Sequence, residues 1–168
     1  GKNFFILGTD TDIGKTYISS LLYKELKKYG CTYYKPVQSG SKNGISPDVE
    51  FLCKFNGIEY ESSMCGYNFE YEVSPHLAAE KSDIKIEKNS IFNRIEKLKQ
   101  ESKFSLIEGA GGIYVPLIRG EYYNFDLIKD AELPVILDCS TKVGTINHTL
   151  LTIEFLKQKK IKLYGVIF

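Results

Sequence analysis

No stretch of this sequence stays apolar for the roughly 18 residues that a membrane-spanning helix needs, so no membrane role is expected. Neither sign of charge is in excess: 22 basic residues face 21 acidic ones, for a net charge of +1. A nucleic-acid-binding or membrane-surface protein carries a basic excess or patch, so neither kind of partner is expected. Cysteines at metal-binding spacing are also missing. Cys31, Cys53, Cys65 and Cys139 form no CxxC pair, and no histidine stands at a ligand spacing from them. Reduced thiols in a cytoplasmic protein are expected, rather than a zinc site. The first residues run almost at once into a strand pattern, so no signal peptide is expected. Repeats, low-complexity tracts and linkers are absent. With 43% hydrophobic and 26% charged residues in 168, the composition suits one globular domain over 1–168.

What is present is an alternation of short apolar runs with helical patterns. Strands are predicted over 3–8, 32–37, 104–108, 134–139 and 163–168. Helices are predicted over 15–29, about 47–55, after Ser74-Pro75, over 86–100 and over 145–159. Gly30 reads as a helix stop. Strands alternating with helices imply an α/β fold, a mostly parallel sheet with helices on both faces in three layers. The strands are continuous apolar runs, as a doubly covered sheet requires.

The strongest signal is Gly8-Thr9-Asp10-Thr11-Asp12-Ile13-Gly14-Lys15-Thr16, set between a predicted strand and a predicted helix. That context is the one a phosphate-binding P-loop needs. Backbone N–H groups of such a loop point at phosphate oxygens, and the helix N-terminus adds partial positive charge. Lys15 supplies a mobile cation for the β- and γ-phosphates, and the Thr16 hydroxyl is a candidate Mg²⁺ ligand. The loop departs from the common pattern in one respect. Five residues, not four, separate Gly8 from Gly14, and Thr9 stands where the first glycine usually does.

That variant loop resembles the P-loop of dethiobiotin synthetases. Further segments match the same family in order: Tyr34 to Gly40 (YKPVQSG), the isolated Asp48, Ser74-Pro75-His76, Glu108 to Gly112 (EGAGG), and Gly144 to His148 (GTINH). The resemblance implies a three-layer P-loop NTPase fold using ATP and Mg²⁺. It makes Lys35 and Lys15 catalytic. It places ATP against Asp12, Ile13, Gly14, Lys15, Thr16, Tyr17, Asp48, Glu108, Gly109, Ala110 and Gly111. Thr16, Asp48 and Glu108 become the Mg²⁺ ligands, and Thr11, Ser39, Gly144 and Asn147 the substrate contacts. The last two are expected to serve a partner subunit's site, so a homodimer is implied.

Read without the resemblance, several of these residues have plainer roles. Lys35 is a lysine at a strand end, Ser39 a turn residue, and Asp48 a cap for the helix after Pro47. Gly109–Gly112 is a tight turn, and Thr145 a helix cap. Glu108 is harder to explain so, because a carboxylate closing an apolar strand is costly without a cation nearby. His76 and His148 read as structural.

The reaction implied is the closure of a cyclic urea from 7,8-diaminononanoate, CO₂ and ATP. Two rivals share the P-loop. ATP-dependent amidoligases such as cobyrinate a,c-diamide synthase carry a long glutaminase part that has no counterpart here. Nucleotide switches use the bound state to change partners, but no NKxD guanine motif occurs and Lys35 with Ser39 would lack a task. The resemblance also sets Phe168 at the end of the strand that leads, in the family, to an adenine-contacting asparagine. Residues 1–168 are therefore expected to lack the family's base-binding segment and to discriminate weakly between ATP, CTP and GTP.

Overall fold

A computed structural model describes residues 1–168. The chain runs β1 (Lys2–Gly8), α1 (Lys15–Leu26), β2 (Cys31–Gln38), α2 (Pro47–Asn56), β3 (Cys65–Asn68), α3 (Pro75–Lys81) and α4 (Lys88–Glu101). It continues through β4 (Phe104–Glu108), β5 (Pro116–Ile118), β6 (Tyr122–Tyr123), α5 (Asn124–Asp130), β7 (Val135–Asp138), α6 (Thr145–Gln158) and β8 (Leu163–Ile167). Six strands form one parallel sheet in the order β3-β2-β4-β1-β7-β8, and β5 with β6 makes a small antiparallel ribbon.

Each sheet face is covered, which is why the inner strands are apolar throughout. Along β1, Phe4 and Ile6 point one way, into a cluster with Tyr33, Leu106, Val49 and Leu52 beneath α1 and α2. Phe5 and Leu7 point the other way, among Ile91, Ile95, Leu127 and Leu156 from α4, α5 and α6. Each such fully buried side chain contributes about 1.5–3 kcal/mol. The expected three-layer parallel architecture is therefore the one observed.

The boundaries differ in informative places. The first helix ends at Leu26 and tightens into a 3₁₀ turn over Lys27–Tyr29, before Gly30 takes a left-handed C-cap at φ 81°. The helix expected from 86 begins at Lys88, with Glu87 as its N-cap. β2 runs on to Gln38 because an unforeseen strand, β3, pairs with it through Val37–Tyr67 and Gln38–Asn68. Lys35 is thus inside β2, three residues short of its end, and not at the end. β5, β6 and α5 were not foreseen either.

Candidate active site

Because the six strands are parallel, β1, β2, β4 and β7 all end on one edge, where ligands bind in open α/β sheets. A cavity of about 910 Å³ opens above that edge. Its floor is the loop from Gly8 to α1. Asp12 takes φ 53° and Gly14 φ 121°, which turn the loop back on itself. Asp10 Oδ1 accepts from the Thr11 N–H at 2.7 Å. Gly14 gives α1 no side-chain cap, so the first-turn N–H groups are open to an anion. Lys15 is buried in this loop and donates to the Asp10 carbonyl at 3.1 Å. Burial, and then the nearby Lys35 cation, lower its pKa.

Beside the loop lies a buried charge cluster. The Lys35 ammonium is 2.6 Å from Asp48 Oδ2 and 3.2 Å from Glu108 Oε1, and it donates to the Gly109 carbonyl at 3.2 Å. Glu108 is fully buried. Its Oε1 also accepts from Thr16 Oγ1 at 2.8 Å, and its Oε2 accepts from the Tyr33 hydroxyl at 2.9 Å. Burial alone would lower the Lys35 pKa, but Glu108 and then Asp48 outweigh it and hold it above the ordinary lysine value. The two carboxylates thus favour the charged form of Lys35. For Asp48, burial pushes the carboxyl up, while Lys35 pulls it further down, to a net value below normal.

The plain role suggested for Asp48 does not hold. Ser46, not Asp48, caps α2, its hydroxyl accepting from the Val49 N–H at 3.3 Å. Asp48 is left free to face Lys35. Ser39 lines the cavity with a buried hydroxyl that has no partner in the chain, which suits a group kept for a ligand. Nor does Thr145 cap α6, whose N-cap is Gly144 with no side-chain bond.

Thr11, Asp12, Ile13, Gly14, Lys15, Thr16, Tyr17, Lys35, Ser39, Asp48, Glu108, Ala110 and Gly111 all line this one cavity. Gly109 joins through its carbonyl. Gly144 and Asn147 do not line it. They sit at the start of α6, beside the exposed apolar side chains Val143, Ile146, Leu150 and Leu151. His76 lines a different, smaller cleft. Three site residues escaped the sequence reading. Tyr33 holds Glu108. Asn124 is buried and donates to the carbonyls of Ala110 and Gly112 at 2.9 and 2.8 Å, fixing the glycine loop. Asp138, closing β7, is buried under the P-loop with Oδ2 unpartnered, and burial raises its pKa to about 6. No local signal marked Tyr33 or Asn124. Asp138 offered one, an acid closing an apolar strand, as Glu108 does.

No cysteine is poised for nucleophilic work: burial pushes Cys31 up to about 12 and Cys65 to about 11. No helix is long and apolar enough to cross a membrane.

A glycine-bearing strand–loop–helix cradle at the edge of a parallel sheet, with lysine and threonine at the helix start, defines a P-loop nucleotide-binding fold. Solved structures agree on the fold. The MinD–MinC cell-division complex of Aquifex aeolicus matches with TM-score 0.57 at 14% identity, over 99% of this chain and 67% of that one. A ParA-family ATPase from Chlorobium tepidum gives 0.55 at 7%, over 98% and 71%. A family model described as an AAA domain matches residues 2–168. The ATP-dependent dethiobiotin synthetase of Fusobacterium nucleatum is 56% identical over 171 residues, covering 99% of this chain and 78% of that protein. That of Anoxybacillus flavithermus is 40% identical over 172 residues, covering 99% and 77%. The chain belongs to the ATP-dependent dethiobiotin synthetase family.

Proposed function

We propose how the residues of this cavity divide the work of the family's reaction, an ATP-dependent ligase step of biotin biosynthesis. The substrates are 7,8-diaminononanoate, CO₂ and ATP. One amine takes up CO₂ as a carbamate and loses a proton. A carbamate oxygen attacks the γ-phosphorus and ADP leaves. The second amine then attacks the carbonyl of the mixed anhydride, phosphate leaves, and the cyclic urea closes with loss of a proton.

Each demand has a residue here. The P-loop N–H groups and the α1 N-terminus hold the phosphates, with Lys15 beside them. Lys35, in its charged form, offsets the carbamate charge against the γ-phosphate. Ser39, whose buried hydroxyl lacks a partner, and Thr11 contact the substrate. Holding carbamate and phosphate in line is worth several kcal/mol through orientation. Thr16, Asp48 and Glu108 form a hard-oxygen set of one hydroxyl and two carboxylates, the chemistry Mg²⁺ prefers, so they would hold it. There Mg²⁺ would neutralise charge developing between the phosphates.

Residues 1–168 act as one nucleotide-binding and catalytic domain, active as a cytoplasmic homodimer. Gly144 and Asn147 lie outside their own chain's cavity on an exposed apolar stretch, which suits a shared substrate site completed by a second copy.

The single observation that carries this reading is the meeting of Lys35, Asp48, Glu108 and Thr16 beside an uncapped P-loop helix in one cavity. The test is phosphate release in the presence of ATP and Mg²⁺. The rate should depend on both the diamine and bicarbonate. Equal release with either one omitted would refute the reading.

A further inference from the structure

Glu108 has two oxygens and two separate sets of partners. Oε1 faces the candidate catalytic groups, accepting from Thr16 at 2.8 Å and Lys35 at 3.2 Å. Oε2 faces the core, and its partner is the Tyr33 hydroxyl at 2.9 Å. We propose that Tyr33 is a positioning residue for the candidate metal site, holding the Glu108 carboxylate so that Oε1 is presented to the cavity. The inference rests on the reading of Thr16, Asp48 and Glu108 as Mg²⁺ ligands.

The geometry carries it in three steps. Tyr33 and Lys35 are two apart on β2 and so share a face of the sheet. β2 lies beside β4, with Tyr33 opposite Leu106 and Tyr34 opposite Ile107. Glu108, two further along than Leu106, therefore projects from the same face. The phenol ring is packed among Ile6, Val49 and Leu106. Its position is set by the core, not by the cavity, and Tyr33 does not line that cavity. The hydroxyl is thus delivered to one point by a rigid scaffold, and that point is the far oxygen of Glu108.

A glutamate needs such a restraint. Its terminal torsion has a broad, roughly two-fold profile, and Lys35 and Thr16 both bind the same oxygen. Without a donor on Oε2, the carboxylate is free to swing that oxygen toward the cavity donors. The bond from Tyr33 makes the two oxygens unequal. Partners of this kind, bound to a ligand and not to the metal, typically change metal affinity or activity 10–100-fold.

The plainer role for Tyr33 is to satisfy a buried carboxylate, which affects only folding stability. Tyr33→Phe separates the two, because it keeps the ring and removes one oxygen. Mn²⁺ serves as the probe, titrated with ADP into the wild type, Tyr33→Phe, Glu108→Gln and the double variant, with bound Mn²⁺ read by electron paramagnetic resonance. Tyr33→Phe should raise the half-saturating Mn²⁺ concentration about tenfold. Its ADP affinity without metal should stay unchanged, and the Mg²⁺ dependence of kcat should shift in parallel. In the Glu108→Gln background, adding Tyr33→Phe should change Mn²⁺ affinity less than twofold. A Tyr33→Phe protein that melts earlier but binds Mn²⁺ as the wild type does would overturn the inference alone. Wild-type Mn²⁺ binding that Glu108→Gln leaves intact would overturn the metal reading, and the inference with it.

Discussion

Replacing Lys35 by methionine should damage the chain in one cation condition and much less in another. Lys35→Met keeps an unbranched side chain, one atom shorter, and removes its charge. The ammonium it deletes is nearly buried and lies 2.6 Å from Asp48 and 3.2 Å from Glu108. A unit charge pair at roughly 3 Å attracts by about 5 kcal/mol at an effective dielectric near 20. Burying the ammonium costs several kcal/mol in return, so the two attractions are largely offset in the wild type. What the variant keeps is the cost side: a buried carboxylate pair with no cation. Breaking a buried pair in this way typically destabilises by about 3–5 kcal/mol. A divalent cation on the same oxygens restores compensation, and at 100 times its Kd a ligand stabilises by about 2.7 kcal/mol. Urea unfolding should thus show Lys35→Met several kcal/mol below wild type in EDTA, and the gap should narrow in Mg²⁺ because the variant, with no ammonium competing for the same oxygens, binds the ion more tightly than wild type does. The pH dependence follows the same logic. With Lys35 gone, burial dominates Asp48 and raises its folded pKa above the unfolded value. A raised acid favours the fold below the unfolded pKa, near 4, and loses that advantage as pH rises. The deficit of the variant should therefore shrink toward acid. Turnover should be lost while ATP still binds, since Lys15 and the P-loop are intact. A variant that unfolds in EDTA at the wild-type midpoint, or that gains no more from Mg²⁺ than wild type does, would refute the argument.

Glu108→Gln keeps the shape of the side chain and removes its charge, so kcat should fall and the Mg²⁺ requirement should rise about tenfold or more; an unchanged Mg²⁺ titration would place Glu108 away from the metal. Asp138→Asn should stabilise the fold at pH 8. Its carboxyl, raised by burial to about 6, favours the fold below about pH 4 and loses that contribution as pH passes 6, so the gain of the variant should vanish in acid. A gain of roughly 1 kcal/mol, below the ceiling of about 3 that two pKa units allow because the amide is also desolvated, corresponds to about 2–4 °C by thermal melting. Mixing Lys35→Ala with Asn147→Ala should restore part of the activity, because one composite site per heterodimer is intact; no recovery despite confirmed subunit exchange would mean that each site lies within one chain.

How much of this was legible depended on how local each feature is. The P-loop is nine consecutive residues between a strand and a helix, so its position and role could be read directly. Glu108 could be read from one contrast, an acid closing an apolar strand. Asp48 could not be separated from a helix cap, because a carboxylate just after Ser46-Pro47 suits either task. The structure decides it only because the Ser46 hydroxyl reaches the Val49 N–H first. β6 has two residues, β5 three and β3 four. A period of two cannot be established over so few positions. The α5 helix, at seven residues, is barely two turns, too short for its apolar face to stand out. Tyr33 was hidden for another reason: its ring looks like any core residue of an apolar strand, and its partner is 75 positions away.

The order of strands explains why that partner could not be seen along the chain. β1 and β2 are consecutive in sequence but not neighbours, because β4 lies between them. That insertion makes the site. It sets Glu108 between the helix that follows β1, which carries Thr16, and the strand that carries Tyr33 and Lys35. Had β2 paired directly with β1, Glu108 would not stand between Lys35 and Thr16. The register matters as much as the order. β4 pairs with β1 through Phe4–Leu106 and Ile6–Glu108, which keeps Leu106 and Glu108 on the α1 and α2 face with Phe4 and Ile6. A slip of one residue would turn Glu108 to the opposite face and expose Ile107 to the cavity. What prevents the slip is the apolar pattern itself. Leu106 and Ile107 are each fully buried in the cluster on their own side, and a slip would put Glu108 into the apolar cluster with no cation. The packing that makes β4 unreadable as anything but a core strand is therefore also what holds the one charged residue of that strand at its place between Thr16 and Lys35.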